Sequence, residues 1–141
     1  MPTNPSSEER LMAAVAHASV VIFGPGILVG VIIWLTQKEK APFASRQGLQ
    51  ATVYQVLGMI VIAGLWIVWT IFYIISLIPL MQNPEQFEAA PPPIFWIGLA
   101  SMIVPLLVML AWAIYGLWGA LKAFRGHDFR YALIGKLLPS S

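Results

Sequence analysis

Three long uncharged stretches dominate the hydrophobic pattern of this chain, at residues 11–37, 47–84 and 89–121. About 20 apolar residues cross the hydrocarbon core of a bilayer, so each stretch is long enough to span or fill a membrane. The charged residues between them form two short clusters. The pattern predicts an all-α integral membrane helical bundle, with two long spans plus a broken N-terminal helical hairpin.

Local signals place the helices within these stretches. Ser6 and Glu9 form a capping box that predicts a helix start. Pro42 suits the first turn of a later helix. We predict a single membrane domain over residues 1–141. Its helical pieces lie at about 7–23, 27–37, 43–81 and 94–124, and an interfacial tail lies at 127–138.

The first apolar stretch is interrupted by Gly24, Pro25 and Gly26. Proline cannot donate a helix hydrogen bond, and the glycines remove the steric bias toward helix. The stretch is therefore either one kinked span or a re-entrant hairpin. At about 1.5 Å per residue, the piece after the break covers roughly half the hydrocarbon core. This short length favours the hairpin.

Basic residues predict the orientation. The loop at 82–93 carries two glutamates and no Lys or Arg, and one long span separates it from each basic region. Basic loops stay in the cytoplasm, so we predict a multi-pass protein of the plasma membrane with a cytoplasmic C-terminus. Seven of the eight basic residues lie on that side: Lys38, Lys40, Arg46, Lys122, Arg125, Arg130 and Lys136.

Composition narrows the function classes. Hydrophobic residues make up 59% of the chain and charged residues 10%, and the formal net charge of +2 gives no indication of nucleic acid binding. The bilayer is the first predicted partner. The long spans hold no Asp, Glu, Lys or Arg, and the chain has no cysteine. We find no paired carboxylates, activated nucleophile or phosphate loop, so we predict no enzyme activity, no cofactor and no metal.

His17 is the titratable side chain in the apolar part of the first helix. Intramembrane ionisable groups are functional candidates by default, as ligands for a metal or pigment or as pH sensors. A metal site needs several convergent ligands. The favoured interpretation is therefore a neutral imidazole that is hydrogen-bonded to a backbone carbonyl or to Ser19.

Two helix surfaces are further candidates for function or packing. An aromatic stripe on one face of the second long helix could line a cofactor or pigment groove, although packing against another helix or lipid is the simpler interpretation. Small residues on the last long helix permit close helix approach, within this chain or with another. The stripe contains Trp66, Trp69 and Tyr73, and the small-residue surface contains Gly116, Gly119, Ala120 and Ala123.

Several short motifs occur in an order that resembles a known family. They are Glu8-Glu9-Arg10, Ala16-His17-Ala18-Ser19, Ile32-Ile33-Trp34-Leu35, Lys38-Glu39-Lys40-Ala41-Pro42-Phe43, Gln50-Ala51, Tyr54-Gln55, Ala123-Phe124-Arg125-Gly126 and Phe129-Arg130-Tyr131. The family consists of small prokaryotic membrane proteins of unknown function. It is similar to the four-helix channel subunit of the Tic translocon, the protein-import machinery of the chloroplast inner envelope. The resemblance implies four membrane helices with both termini on one side.

The chain departs from the family pattern at Gln47, where a His is expected, and at Ala132, where a Pro is expected. The first functional hypothesis is a non-enzymatic accessory or assembly subunit of a larger membrane complex, which binds other membrane proteins or itself. The second is a protein-translocation or channel component like the Tic subunit. A polar inner surface that includes Gln50, Thr52 and Gln55 would favour the channel.

Overall fold

The computed structural model describes residues 4–82, 84–85, 90–132 and 134–136. Every regular element in these ranges is helical, which confirms the predicted all-α class. The helices are α1 (Ser7–Ala18), α2 (Gly26–Gln37), α3 (Pro42–Gln82), α4 (Pro93–Ala100) and α5 (Ile103–Phe124), with short 3₁₀ turns at Ser19–Val21 and Ile134–Lys136.

The helical hairpin of α1 and α2 begins at the predicted capping box. The Ser6 Oγ accepts the Glu9 backbone N–H, and the Glu9 carboxylate accepts that of Ser6. However, α1 ends at Ala18, before the predicted limit at residue 23. The Ser19 hydroxyl lies 2.8 Å from the Ala16 carbonyl oxygen and 2.9 Å from that of Gly26. Such side-chain bonds compete with the helix and help to turn the chain early.

The turn between α1 and α2 depends on its glycines. Gly24 has φ +83°, in the left-handed region that favours glycine. Gly26 lies so close to the Ser19 carbonyl oxygen that a Cβ would overlap it. Pro25 stands between them as the residue before α2. The predicted break is therefore a closed turn that brings the chain back.

Prolines lie where the later helices begin or are interrupted. α3 starts at Pro42 and has 41 residues, which corresponds to about 62 Å. The helical piece predicted at about 94–124 is interrupted near Pro105, because α4 ends at Ala100 and α5 starts at Ile103. Pro105 has no N–H for the Ser101 carbonyl, four residues earlier. The carbonyl instead accepts the N–H of Val104 at 3.1 Å, as in a tighter turn.

Two helical segments are long and apolar enough to cross a membrane, Pro42–Gln82 and Pro93–Phe124. Only 11% of the most hydrophobic window of each is buried within the protein. A soluble protein buries its core helices, and large exposed apolar surfaces are typical of membrane or partner contacts. The two helices therefore have the surface expected of membrane spans.

The chain divides into two compact units. The first contains Met1–Met59 and Ala111–Ser141, and the second contains Ile60–Leu110. In the first unit, α2 lies close to the start of α3. A Cβ at Gly30 would meet the Thr52 hydroxyl at 2.5 Å, and one at Gly48 would meet the Trp34 backbone nitrogen at 2.9 Å. Glycines at both positions therefore allow the two backbones to approach.

The second unit contains the aromatic stripe. The rings of Trp66 and Trp69 meet edge to face at 5.3 Å, and those of Trp69 and Tyr73 stack at 5.2 Å. Trp69 Nε1 donates a hydrogen bond to the Gly98 carbonyl in α4 at 3.2 Å. Gly98 is buried, and a Cβ there would overlap the Ser76 hydroxyl. The stripe therefore packs against α4 of the same chain.

Candidate functional site: a polar and aromatic cluster around His17

His17 is fully buried in the first unit, although it lies on α1 outside both candidate spans. Its Nδ1 lies 2.8 Å from the Tyr131 hydroxyl, and its Nε2 lies 2.8 Å from the Gln47 Oε1. The predicted partners, a backbone carbonyl or Ser19, are wrong. Ser19 instead bonds to Ala16 and Gly26 in the hairpin turn. From the last turn of α1, His17 thus contacts side chains from distant parts of the sequence.

The amide of Gln47 determines the direction of these hydrogen bonds. Its Nε2 donates to the Asp128 Oδ1 at 2.9 Å and to the Phe129 carbonyl at 3.2 Å. Its Oε1 is therefore the acceptor that faces His17, so the His17 Nε2 carries the hydrogen. The Nδ1 is then a lone-pair acceptor for the Tyr131 hydroxyl. Both ring nitrogens are satisfied when the imidazole is neutral.

Burial shifts the pKa of His17 and the pKa of Tyr131. Desolvation lowers the pKa of His17 from 6.5 to about 4, and the hydrogen bond to Gln47 only partly opposes this effect. Desolvation raises the pKa of Tyr131, and the neighbouring Tyr54 adds to the rise. The imidazole and the phenol are therefore both neutral at physiological pH, as the direction of their hydrogen bond requires.

A stack of three aromatic rings stands beside the imidazole. Tyr54 of α3 lies between Tyr131, at 3.8 Å and 3° between the ring planes, and Trp112 of α5, at 4.8 Å and 14°. The Tyr54 hydroxyl donates to the Trp112 carbonyl at 2.7 Å. Phe129 meets the edges of His17 at 5.8 Å and of Tyr131 at 4.9 Å. The stack joins two helices to the C-terminal segment.

The cluster can hold the C-terminal segment against α1 and α3. Tyr131 is only 2% exposed and Ile134 only 3%, so this part of the predicted interfacial tail is packed into the first unit. Among the residues that the structure describes, no group of three or more His, Asp or Glu side chains could hold a metal. The hydrogen bonds and ring contacts of the cluster can act as a structural clamp on the C-terminal segment.

The structure places the other candidate residues outside this cluster or at its edge. A Cβ at Gly116 would meet Val20 at 2.7 Å, and a Cβ at Gly119 would meet the Phe129 ring at 2.9 Å. Ala120 is 7% exposed. The small-residue surface of α5 is thus covered at Gly116 and Gly119 by the hairpin turn and the C-terminal segment of the same chain.

Sequence reasoning missed the two residues that bind His17. In the sequence, Gln47 is a departure from a family pattern near the polar start of a long helix, and Tyr131 is part of a motif near the C-terminus. Neither feature points to His17. An amide placed near the start of a long apolar helix is a signal that could have identified Gln47. Tyr131 carries no such local signal, because it lies 114 positions from His17.

The chain belongs to the MamF_MmsF family, the magnetosome magnetite crystal formation protein family, whose model matches residues 8–138. This match confirms the prediction of a small prokaryotic membrane protein family. No curated protein and no solved structure matches the chain.

Proposed function

We propose that this chain is a non-enzymatic accessory or assembly subunit of a membrane complex that takes part in magnetite crystal formation in the magnetosome. The family description supports a role in magnetite crystal formation, and the two apolar helices support a location in a membrane. We further propose that the subunit binds other membrane proteins or a second copy of itself, and that its C-terminus is cytoplasmic.

The observation that carries this proposal is how α3 uses its polar side chains. Gln55 Nε2 donates to the Ala16 carbonyl and to the Ser19 hydroxyl, each at 3.1 Å, and the Thr52 hydroxyl donates to the Gly48 carbonyl at 2.8 Å. Gln47 is bound to His17 and Asp128. Gln47 and Gln55 therefore bind other parts of the same chain, and Thr52 bonds within α3, so apolar surface remains for association within the membrane.

The outer surface of the spans fits this role. Large apolar side chains more than half exposed recur along α5 at spacings of four and three residues, which places them on one helix face. Helices in a membrane associate through shape and van der Waals contact rather than through the hydrophobic effect. This face of α5 contains Ile103, Leu107, Leu110 and Ile114.

The second candidate function is a channel or translocation component, as the resemblance to the Tic subunit suggested. One observation favours it: the Gln50 Oε1 is buried without a hydrogen-bond partner among the described residues. A buried polar atom of this kind requires water or another polar group. Thr52 and Gln55, which were expected to extend a polar inner surface, are both used in packing of the first unit.

Affinity purification tests the first candidate. The tagged full chain would be purified in mild detergent from cells that form magnetosomes, and co-purifying proteins would be quantified by mass spectrometry. We expect a defined set of membrane proteins, or a stable homo-oligomer, that a tagged unrelated membrane protein does not capture. A chain that purifies as a monomer without partners would overturn the proposal.

The channel candidate has its own test. The purified chain would be reconstituted in planar bilayers, and ionic current would be recorded. We expect no discrete conductance. Reproducible channel steps would favour the second candidate and contradict the first.

A further inference from the structure

The hairpin of α1 and α2 is too short to cross a bilayer. Each helix has 12 residues, which corresponds to about 18 Å, whereas the hydrocarbon core is about 30 Å thick. The 3₁₀ turn and the Gly24 conformation reverse the chain between them. The two outer ends of the hairpin therefore lie on the same side of the membrane if its turn is embedded.

The distribution of charge along the hairpin predicts how deeply it enters. The open end carries charged residues on both arms, Glu8, Glu9 and Arg10 on one and Lys38, Glu39 and Lys40 on the other. The turn carries Val21, Ile22 and Phe23, which are 50–60% exposed. Charged side chains remain at the interface, and exposed apolar ones favour hydrocarbon. The charged end therefore stays at the headgroups while the turn points into the leaflet.

Lipid chains are the occupant that best fits the outer surface of the hairpin. The arms also expose large apolar side chains, including Leu11 and Val15 on α1 and Leu28, Ile32 and Leu35 on α2. The opposite side is already occupied by α3, because Gly30 of α2 lies against Thr52, and Gln55 of α3 donates to the Ala16 carbonyl of α1. An apolar surface that covers the turn and both arms is suited to a fluid solvent rather than to one docked helix.

We propose that the hairpin acts as a wedge, which means that it inserts into one leaflet only and adds area to that leaflet. The protein then accumulates where this leaflet is convex. A helix about 10 Å across occupies roughly 80 Å², so the hairpin adds about 160 Å² to a single leaflet. Extra area in one leaflet is accommodated when the membrane curves toward that side. The inference rests on the predicted position of both hairpin ends on one side, and not on the identity of any partner complex.

The basic residues around the open end determine the leaflet. The open end of the hairpin, its base, has basic residues at or just beyond it, namely Lys38, Lys40 and Arg46. The same unit contains Lys122 and Arg125, at the end of α5 or directly after it. The positive-inside rule places this side in the cytoplasm. The wedge then favours membranes that are convex toward the cytoplasm, such as those of intracellular vesicles and inward invaginations.

A reconstitution experiment with purified full-length protein tests the wedge. The chain has no cysteine, so Asn4→Cys provides one labelling site beside the hairpin base. The labelled protein would be placed at low density in phospholipid vesicles of several diameters, and protein per membrane area would be measured on single vesicles. An impermeant quencher would identify the molecules whose hairpin base faces outward.

The two orientations provide an internal control. Molecules with an outward base have the hairpin in the convex leaflet, and we expect their density to rise about twofold or more from large to small vesicles, which corresponds to about 0.4 kcal/mol. Molecules with an inward base should become scarcer on small vesicles. Equal densities in both orientations at all diameters would overturn the wedge.

A matched pair of variants locates the effect. Ile22→Ser/Phe23→Ser makes the turn polar and should abolish the enrichment. Ile74→Ser/Ile75→Ser changes two adjacent, similarly exposed side chains on a span and should preserve it, since those residues are 57% and 55% exposed against 56% and 50% in the turn. Loss of enrichment in both variants, with helical circular dichroism retained, would contradict a specific role for the hairpin.

One further measurement separates lipid from protein as the occupant. Enrichment that disappears when the protein is diluted further in lipid would show that a second copy covers the hairpin, which would overturn the proposal. Labelling of Phe23→Cys by an impermeant reagent would place the turn in water and would also overturn it. Both measurements use purified protein alone, so they are independent of the proposed membrane complex.

Discussion

Acidification should destabilise this protein through His17. The folded state lowers the pKa of this histidine from 6.5 to about 4, so the unfolded chain binds a proton first as the pH falls. The stability that neutral His17 contributes is therefore fully present above about pH 6.5 and is lost progressively down to about pH 4. Each pKa unit is worth about 1.4 kcal/mol, so the full loss is about 3 kcal/mol.

The contacts of His17 explain why the cost is large. Protonation places a charge in a site where His17 is 0% exposed, and Nδ1 loses the lone pair that accepts the Tyr131 hydroxyl. Gln47 can still accept from Nε2 and partly compensates. The nearby carboxylate of Asp128 is bound to the far side of Gln47 rather than to the imidazole.

A comparison with His17→Gln isolates this effect. Glutamine can donate and accept hydrogen bonds but does not titrate, so the variant should fold and remain similarly stable near neutral pH. Unfolding free energies of both proteins would be measured in detergent at about pH 7.5 and about pH 4.5. We expect the wild type to lose about 2–3 kcal/mol more than the variant. The reasoning is refuted if both proteins lose equal stability, or if the wild type loses less.

Three further predictions follow from topology and packing. A reporter fused after Ser141 should be active in the cytoplasm, and activity confined to the outside would contradict the assigned orientation. Cysteines introduced at Ser7 and at Gln37 should both be protected from an impermeant reagent added to intact cells, whereas a kinked single span would expose Ser7 outside. Gly26→Ala should reduce the unfolding free energy in detergent by about 1–3 kcal/mol because its Cβ would overlap the Ser19 carbonyl oxygen. Gly64→Ala, with open space around its Cβ, should leave stability unchanged or raise it slightly.

Local features of the sequence predicted where most helices begin and where the first stretch breaks. Ser6 and Glu9 cap α1, and Pro42 opens α3, because capping and proline geometry act over a single turn. The Gly-Pro-Gly segment predicted the turn after α1 for the same reason. The membrane spans were predictable because hydrocarbon imposes one requirement on a long segment, that nearly every residue be apolar.

The contacts between these helices depend on the folded chain and could not be predicted from the sequence. His17, Gln47 and Tyr131 meet across separations of 30 and 114 positions, and no periodicity or spacing predicts such contacts. The approach of Gly30 to Gly48 is equally invisible in the sequence, because a glycine in a helix does not reveal which backbone will lie beside it. Burial of polar groups requires each to find a partner, and those partners are selected by the packing of the whole unit.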